Sequence, residues 1–252
     1  MEMPSVLMVV PCYNEADRLR GEAFLDFALS RPGVRFLFVN DGSTDATAKL
    51  LEDIAQQRPD RLEVLSLSEN QGKAGAVRAG VRHALEREIP AEWIGYLDAD
   101  LAVPLEELAY LFQFAELQQN AARLRLIFGS RVARGGAQVK RKWFRYYISR
   151  ILATLRSQVL PLIIYDTQCG VKLVRRDTAE ALFAQPFVSQ WLFDIELFYR
   201  LHLEGARAGF AAPDAICEVP LRAWTEVDGS RTRLADLPMY LRSLWRISRH
   251  YR

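Results

Sequence analysis

Two aspartates, Asp98 and Asp100, follow a short apolar run at Trp93–Leu97 with one residue between them. A buried strand that ends in paired carboxylates offers hard oxygen ligands to a divalent cation. Mg²⁺ commonly binds through one or two carboxylates together with substrate phosphates, so the pattern predicts a site for Mg²⁺ or Mn²⁺ and a phosphorylated ligand. A solvated turn with Asp100 near a helix start explains the same residues equally well. The surrounding sequence has to decide between these interpretations.

The elements that position the aspartates alternate between short apolar runs and longer stretches with helical spacing. We predict strands at Ser5–Val10, Arg35–Val39, Leu62–Leu67, Trp93–Leu97 and Leu124–Phe128. We predict helices at Glu15–Leu29, Thr44–Gln57, Gly72–Arg87 and Leu105–Gln119. This alternation is typical of βαβ units and predicts an α/β fold, a mostly parallel sheet flanked by helices.

A polar or glycine-containing loop follows each predicted strand, beginning at Pro11, Asn40, Glu69, Asp98 and Gly129. Ligands of parallel sheets bind beyond the carboxyl ends of the strands, so these five loops should meet at one edge. Their side chains suit a nucleotide, because a carboxylate can accept hydrogen bonds from a base or ribose and a cation at a helix N-terminus favours diphosphate. We therefore predict a nucleoside-diphosphate site with a metal beside it.

The ordered set of loops resembles the family 2 glycosyltransferases, and within them the polyprenyl-phosphate sugar synthases. The resemblance extends from Val6 to about Arg231 and is carried by Val10–Glu15, Val39–Asp45, Asn70–Lys73, Asp98–Asp100, Gly129–Arg131, Asp166–Lys172, Phe193–Leu197 and Glu218–Leu221. The Asp166–Gly170 run looks most like the dolichyl-phosphate β-glucosyltransferase branch, which uses UDP-glucose. The resemblance implies a GT-A (Rossmann-like) fold.

For the donor, the resemblance implies a nucleoside pocket and a diphosphate site. The residues it places there are Pro11, Tyr13 and Glu15 around the nucleoside, Asp41 on the base, Lys73 near the diphosphate, and Asp98 and Asp100 on Mg²⁺ or Mn²⁺. Several mannosyl relatives carry a glutamine metal ligand two residues after the second aspartate, where this chain has Ala102. The metal would therefore be held by fewer protein ligands, and the donor phosphates would complete its shell.

For the acceptor, the resemblance implies that Arg131 approaches a polyprenyl phosphate, and we place Gln168 and Lys172 on the same side. Asp166 and Asp194 are candidates for orienting the sugar or acceptor, or for a base if the acceptor is a hydroxyl; anchoring a loop is the alternative for either. Glu196 is expected to be structural. Three alternatives to this function remain open: an enzyme with a GDP-mannose donor, an enzyme with a hydroxyl acceptor, and a nucleotide-sugar-binding module without catalysis.

A phosphate acceptor is already anionic at neutral pH, since its second pKa lies near 6. Catalysis should therefore consist mainly of positioning the reactants and neutralising charge on the departing nucleoside diphosphate. We predict a single in-line displacement at the anomeric carbon, with inversion and no covalent enzyme intermediate.

Two segments of the chain are strongly basic. Arg131–Arg156 contains eight basic residues and no acidic one, and Gly229–Arg252 contains six arginines and one aspartate. Lys140–Leu160 has the spacing of an amphipathic helix, which could lie on an anionic membrane or pack on its own domain with a solvated basic face. We predict a catalytic domain at 1–230, including this basic amphipathic segment at 138–165, and a basic helical extension at 231–252.

Composition is that of an ordinary globular protein, with 50% apolar and 25% charged residues. Three cysteines without a CxxC pair indicate neither a zinc site nor a disulfide framework and fit a reducing compartment. No signal-peptide pattern or spanning apolar window is present, so we expect peripheral attachment to the cytoplasmic face of a membrane. No nucleic-acid-binding motif accompanies the basic segments, and the sequence gives no prediction of oligomeric state.

Overall fold

A computed structural model describes residues 3–132, 135–140, 160–225 and 237–251 of the chain. Its strands are β1 (Val6–Cys12), β2 (Val34–Asp41), β3 (Leu62–Leu67), β4 (Trp93–Leu97), β5 (Leu126–Ser130), β6 (Gln138–Lys140), β7 (Val171–Arg175), β8 (Ile216–Pro220) and β9 (Ala223–Thr225). Its helices are α1 (Gly21–Ser30), α2 (Thr47–Ala55), α3 (Gly72–Glu86), α4 (Glu106–Glu116), α5 (Arg176–Phe183), α6 (Phe193–Ala208) and α7 (Leu237–Tyr251).

Seven of these strands form one sheet in the order β3-β2-β1-β4-β7-β5-β8. Neighbouring strands are parallel except at β7, which runs antiparallel to both β4 and β5. The five strands predicted from the sequence, β1 to β5, therefore all point the same way and share one carboxyl edge. The predicted α/β fold with a mostly parallel sheet is confirmed.

Helices cover both faces of the sheet, and alternate strand residues contribute to two separate cores. On one face, Phe38 packs with residues of α1, α2 and α4. On the other face, the next residue of β2, Val39, belongs to a core built by α3, α5, α6 and α7. Because both faces are covered, the central strands are continuous apolar runs, and this is why they could be recognised in the sequence.

The first helix begins at Gly21, six residues later than the predicted start at Glu15. The intervening backbone instead donates hydrogen bonds to the first residue of α2 and to the loop before it, from Glu15 N to Thr47 Oγ1 at 2.8 Å and from Ala16 N to Asp45 Oδ2 at 3.2 Å. These contacts between loops replace the hydrogen bonds of a first helical turn. The second helix likewise begins later than predicted, at Thr47 rather than Thr44.

The predicted basic amphipathic segment at 138–165 is not helical at either end. Gln138–Lys140 forms β6, which pairs in parallel with β9, and residues 160–165 contain no helix. The prediction of a helix is therefore wrong at both ends of this segment. Its first residues form a strand, and Leu160 and Leu162 near its other end pack in the core. Residues 141–159, which carry most of the predicted basic face, lie outside the described residues.

A C-terminal helix, α7, lies within the basic helical extension predicted at 231–252. One side of it is buried against the α6 face of the molecule through Tyr240, Leu244 and Ile247. The other side leaves Leu241 and Trp245 exposed, at 43% and 60% of their surface. Within the described part of the chain, none of the helices has both the length and the apolar character needed to cross a membrane.

Candidate active site

The loops after β2 and β3 are packed against each other at the carboxyl edge. Gly42 has φ +65°, and a Cβ there would lie 2.7 Å from the backbone N of Asn70, so the contact requires glycine. Asp41 Oδ1 accepts a hydrogen bond from Gln71 N at 2.7 Å. Burial raises the pKa of Asp41, and backbone N–H groups of Gln71 and Gly72 oppose that shift. Asp41 thus joins the loop predicted to contact the base to the loop predicted to bind the diphosphate.

The loop after β1 completes this part of the edge. Asn14 has φ +51°, and its backbone N–H donates to Ser43 Oγ at 3.1 Å. Tyr13 is 41% exposed beside Pro11 at the end of β1, so its ring is available to a ligand. Glu15 Oε1 accepts a hydrogen bond from Arg18, whereas Oε2 is buried and has no hydrogen-bond partner among the described residues.

The paired aspartates stand at the end of β4, in the centre of the sheet. Asp98 Oδ1 forms an ion pair with Lys73 Nζ, which comes from the first turn of α3. Asp100 Oδ1 accepts a hydrogen bond from Ala102 N at 3.0 Å. Burial raises the pKa of Asp100, and the neighbouring Asp98 adds to the rise while Lys73 opposes it. The structure therefore brings together the lysine and both carboxylates that the sequence predicted.

Asp98 is held in place by Gly170, the residue before β7. The backbone N of Asp98 donates a hydrogen bond to Gly170 O at 3.1 Å. A Cβ at Gly170 would lie 2.3 Å from Asp98 Oδ2, which is far inside van der Waals contact. Gly170 therefore allows the carboxylate to lie directly against the backbone of the Asp166–Gly170 motif.

Replacing Gly170 with alanine should displace the Asp98 carboxylate. A shift of about 1 Å in a positioned group can cost about 100-fold in rate, so we expect kcat to fall by about that factor while the protein remains folded. Steady-state kinetics with a thermal melt will measure both quantities. Gly135→Ala is the control, because a Cβ at Gly135 meets nothing within 4 Å. Equal kcat values for the two variants would contradict this role of Gly170.

The donor set suits a hard divalent cation. No cluster of three or more metal-ligating side chains exists within residues 3–132, 135–140, 160–225 and 237–251. Asp98 and Asp100 can supply two carboxylates, and Mg²⁺ is usually bound by one or two carboxylates when substrate phosphates fill its other positions. The carboxylate of Glu15 interacts unfavourably with Asp100, and burial and this repulsion both raise the pKa of Glu15, against the effect of Arg18. A cation bound at Asp98 and Asp100 would relieve this excess of negative charge.

Arg131 follows β5, and an ion pair with Asp166 fixes its side chain. Its guanidinium binds Asp166 through two hydrogen bonds, Nε–Oδ2 at 2.7 Å and Nη2–Oδ1 at 2.8 Å. Asp166 N in turn donates to Glu218 Oε1 at 2.8 Å, so β8 supports the arrangement. The guanidinium also lies 5.5 Å from the ring centre of Trp224. Although burial lowers the pKa of Arg131, Asp166 outweighs it and raises that pKa. The cation is thus permanent and rigidly oriented.

This geometry favours the anchoring interpretation of Asp166, because both of its carboxylate oxygens bind Arg131. Gln168 is close by, and its backbone N–H donates a hydrogen bond to Asp166 Oδ1 at 3.3 Å. The support from Glu218 could not be derived from the sequence, where this residue is a single acidic position within the apolar strand β8.

A second buried ion pair lies beneath the site and joins Lys172 to Asp194. Lys172 Nζ is 2.6 Å from Asp194 Oδ1 and donates to Cys169 O at 2.8 Å. The hydroxyl of Tyr96 donates to the same oxygen of Asp194. Lys172 is completely buried, so the direct contact with the acceptor that we expected does not fit its position. Removing one member of a buried pair costs about 3–5 kcal/mol of stability.

Glu196 has the structural role that was expected of it. Its carboxylate accepts hydrogen bonds from the backbone N–H groups of Val188 and Ser189 at 2.9 and 2.7 Å. It also receives the hydroxyl of Tyr251 from α7 at 3.0 Å. Glu196 therefore fixes the loop before α6 rather than facing the site.

The sheet is mostly parallel, and Lys73, Asp98 and Asp100 meet at its carboxyl edge. Comparison with known proteins shows the family to which a chain with this arrangement belongs. Residues 8–183 match the profile described as Glycosyl transferase family 2. Because that match covers more than half of the sequence, the chain belongs to glycosyltransferase family 2.

Curated relatives extend the similarity over most of the chain. It is 33% identical over 237 residues to a dolichyl-phosphate beta-glucosyltransferase of Drosophila melanogaster, covering 89% of this chain and 68% of that protein. The human protein of the same name is 31% identical over 237 residues, with the same coverage. Glucosyl-3-phosphoglycerate synthase of Mycobacterium tuberculosis, solved with Mn²⁺, UDP and glucosyl-3-phosphoglycerate, superposes with a TM-score of 0.59 at 18% identity and covers 98% of this chain and 80% of its own. At that identity the superposition supports the fold alone.

Proposed function

We propose that this enzyme transfers glucose from UDP-glucose to a polyprenyl phosphate, with inversion at the anomeric carbon and with Mg²⁺ or Mn²⁺. One observation carries the proposal: the Asp166–Gly170 segment binds the Arg131 guanidinium through its first residue and lies against Asp98 at its last. A cationic group suited to an acceptor phosphate thus stands beside the carboxylates suited to a metal-bound diphosphate. The names of the relatives support glucose and a lipid phosphate.

The residues at the edge divide into a donor side and an acceptor side. Tyr13 and Asp41 would contact the nucleoside, and Lys73 would leave or share its ion pair with Asp98 to bind the diphosphate. Asp98 and Asp100 would hold the metal, which when bound supplies charge neutralisation on the departing diphosphate. Arg131 would orient the acceptor phosphate as a bidentate donor. Because that phosphate is anionic at neutral pH, no protein base is needed.

The alternative with a hydroxyl acceptor requires a carboxylate that can accept a proton. Asp166 is the candidate nearest to Arg131, and both of its oxygens bind the guanidinium at 2.7–2.8 Å. Asp194 has one oxygen bound to Lys172 and Tyr96. These contacts support the phosphate acceptor over the hydroxyl acceptor.

A donor panel tests the proposal directly. The purified enzyme would be incubated with a short-chain polyprenyl phosphate and each of UDP-glucose, UDP-galactose and GDP-mannose, with Mg²⁺, Mn²⁺ or excess EDTA. With UDP-glucose we expect release of UDP and formation of a polyprenyl-phosphate glucose, and in excess EDTA we expect turnover to stop. The anomeric configuration of the product, read by NMR, should be β. Preferential turnover of GDP-mannose would overturn the donor assignment, and turnover with a polyprenol in place of its phosphate would overturn the acceptor.

We also propose an anionic membrane surface on the cytoplasmic side as a partner. The exposed side of α7 combines Trp245 and Leu241 with three exposed arginines, Arg242, Arg246 and Arg249. Aromatic residues and arginines are the side chains that interfacial helices place at the level of the lipid headgroups. A basic surface next to a lipid-phosphate site would hold the enzyme where its acceptor resides.

Neutralising the exposed side of α7 should weaken membrane binding. Each arginine near an anionic surface contributes about 1 kcal/mol, so replacing Arg242, Arg246 and Arg249 by glutamine should weaken vesicle binding about 100-fold. Sedimentation with vesicles containing phosphatidylserine will measure it, and affinity for UDP should not change.

The control for that experiment carries the same change of charge elsewhere. Arg31, Arg87 and Arg123 are exposed and lie outside α7. Replacing these three by glutamine should leave vesicle binding within about threefold of the wild type, since charges beyond a Debye length are screened. Equal losses from both triple variants would contradict a specific surface on α7.

A further inference from the structure

The carboxylate of Asp194 is held from one side only. Its Oδ1 receives both the ammonium of Lys172 and the hydroxyl of Tyr96. No residue that the structure describes donates a hydrogen bond to Oδ2. Asp194 is only 5% exposed, but Oδ2 is not one of the fully buried polar atoms that lack a partner, so solvent or a ligand can reach it. An accessible oxygen on an otherwise fixed carboxylate is suited to accept a hydrogen bond from a bound ligand.

The two groups that hold Asp194 come from adjacent strands at the same register. Tyr96 in β4 pairs directly with Lys172 in β7, and both side chains are fully buried. Because both side chains are packed among buried strand residues, the Tyr96 hydroxyl and the Lys172 ammonium are each held in one position. The Lys172 ammonium is further tied to Cys169 O at 2.8 Å. The position of Asp194 is therefore set by the sheet and not by its own helix alone.

Asp194 also lies close to the donor side of the site. Lys73 Nζ is 5.9 Å from the ring centre of Phe193, the residue before Asp194, and 5.8 Å from the ring centre of Tyr96. Lys73 forms the ion pair with Asp98, and the Tyr96 ring close to Lys73 carries the hydroxyl that binds Asp194. A sugar attached to a diphosphate bound at Lys73 would thus be within reach of Asp194.

A second polar atom without a partner lies on the same face of the sheet. Phe128 in β5 pairs with Lys172, and Ser130 is two residues further along β5 toward the carboxyl edge. Side chains two apart in a strand share a face. Ser130 Oγ is buried and has no hydrogen-bond partner among the described residues. Ser130 thus adds an unpaired polar atom to the face of the sheet that carries Lys172, which suits a hydroxylated ligand better than an apolar one.

We propose that Tyr96 and Lys172 are positioning residues, which hold Asp194 so that its Oδ2 accepts a hydrogen bond from a hydroxyl of the hexose being transferred. The proposal rests on the function proposed above and adds the recognition of the sugar to it. It assigns Lys172 to the donor side through Asp194, and it adds Tyr96 to the residues that the reaction depends on.

A double-mutant cycle tests whether Lys172 acts through Asp194. Asp194→Asn should lower kcat for UDP-glucose about 100-fold, because the acceptor for the sugar hydroxyl becomes a neutral amide, and Lys172→Met should lower it by a similar factor. In the double variant Lys172→Met/Asp194→Asn, the loss should exceed that of Asp194→Asn by no more than about threefold. Affinity for UDP, measured by calorimetry, should stay within about twofold for all three, since UDP lacks the hexose.

The cycle also separates positioning from a merely structural role. Lys172→Met leaves a buried charge unpaired and should lower Tm, and the double variant should recover Tm while kcat remains low. If kcat recovers together with Tm, the pair only stabilises the fold. If the losses in kcat are additive, Lys172 does not act through Asp194.

Tyr96→Phe provides a test that does not depend on the stability of Lys172→Met. It removes only the hydroxyl that binds Asp194 and should lower kcat about tenfold, with UDP affinity unchanged. Tyr251→Phe is the matched control, because it removes a hydroxyl bound to Arg200 and Glu196 away from the site. Wild-type kcat for Tyr96→Phe would overturn the proposal. A wild-type enzyme that transfers no hexose would instead overturn the function proposed above, whatever the cycle gives.

Discussion

Asp100→Ala should abolish metal-dependent transfer, with kcat reduced by about 1,000-fold or more. The variant loses one of the two carboxylates at the centre of the edge, and Ala102 offers no side-chain ligand to replace it. Stability should change little, since the only hydrogen bond lost within the described chain is the one from Ala102 N. UDP release at saturating Mn²⁺ will measure the rate, and electron paramagnetic resonance of free Mn²⁺ in the presence of UDP will measure metal affinity.

The control for this variant is Asp26→Ala, which removes an exposed aspartate of α1 on the surface of the protein. It should retain both the rate and the Mn²⁺ affinity of the wild type. If Asp100→Ala binds Mn²⁺ and turns over as the wild type does, the metal site is not at Asp98 and Asp100.

Arg131→Met should raise the KM for polyprenyl phosphate by about 100-fold, because a bidentate charge-assisted contact with the phosphate is removed. Affinity for UDP should remain unchanged, since Arg131 lies on the acceptor side. Arg131→Lys keeps the charge but loses the planar pair of donors that Asp166 orients, so it should recover only part of the loss. Initial rates over a range of acceptor concentrations will separate KM from kcat.

Arg123→Met is the matched control for the acceptor experiment, because Arg123 is exposed and outside the site. It should leave the acceptor KM within about twofold of the wild type. An unchanged acceptor KM in Arg131→Met would remove Arg131 from the acceptor site and with it the observation on which the phosphate acceptor rests.

The elements that could be predicted are those whose own residues form a recognisable pattern in the sequence. Strands β1 to β5 are buried on both faces and therefore read as continuous apolar runs, and each is followed by a polar loop. Strand β7 escaped prediction because Lys172, its second residue, is a charged side chain at a fully buried position. The partner that makes this charge tolerable, Asp194, is 22 residues further along the chain, and no local pattern announces it.

The candidate site divides in the same way. Asp98, Asp100 and Lys73 could be predicted because they follow a strand or open a helix, and the structure brings them together. Tyr96 could not, because its sequence position is that of an ordinary core aromatic and its hydroxyl acquires a partner only when α6 packs on β4. The later start of α1 had a similar origin, since Thr47 and Asp45 take hydrogen bonds from residues 15 and 16 that helical spacing alone assigns to the helix.

The position of β7 in the sheet has a consequence for how the chain folds. This strand lies between β4 and β5, so the two halves of the sheet cannot join until Val171–Arg175 has been synthesised. Until then β4 (Trp93–Leu97) has an unpaired apolar edge, which is the kind of edge through which partly folded chains associate. The long separation between β4 and β7 also slows closure, because distant strands pair only after loop entropy has been lost. We therefore expect partly folded chains to associate more readily before β7 joins the sheet than after it.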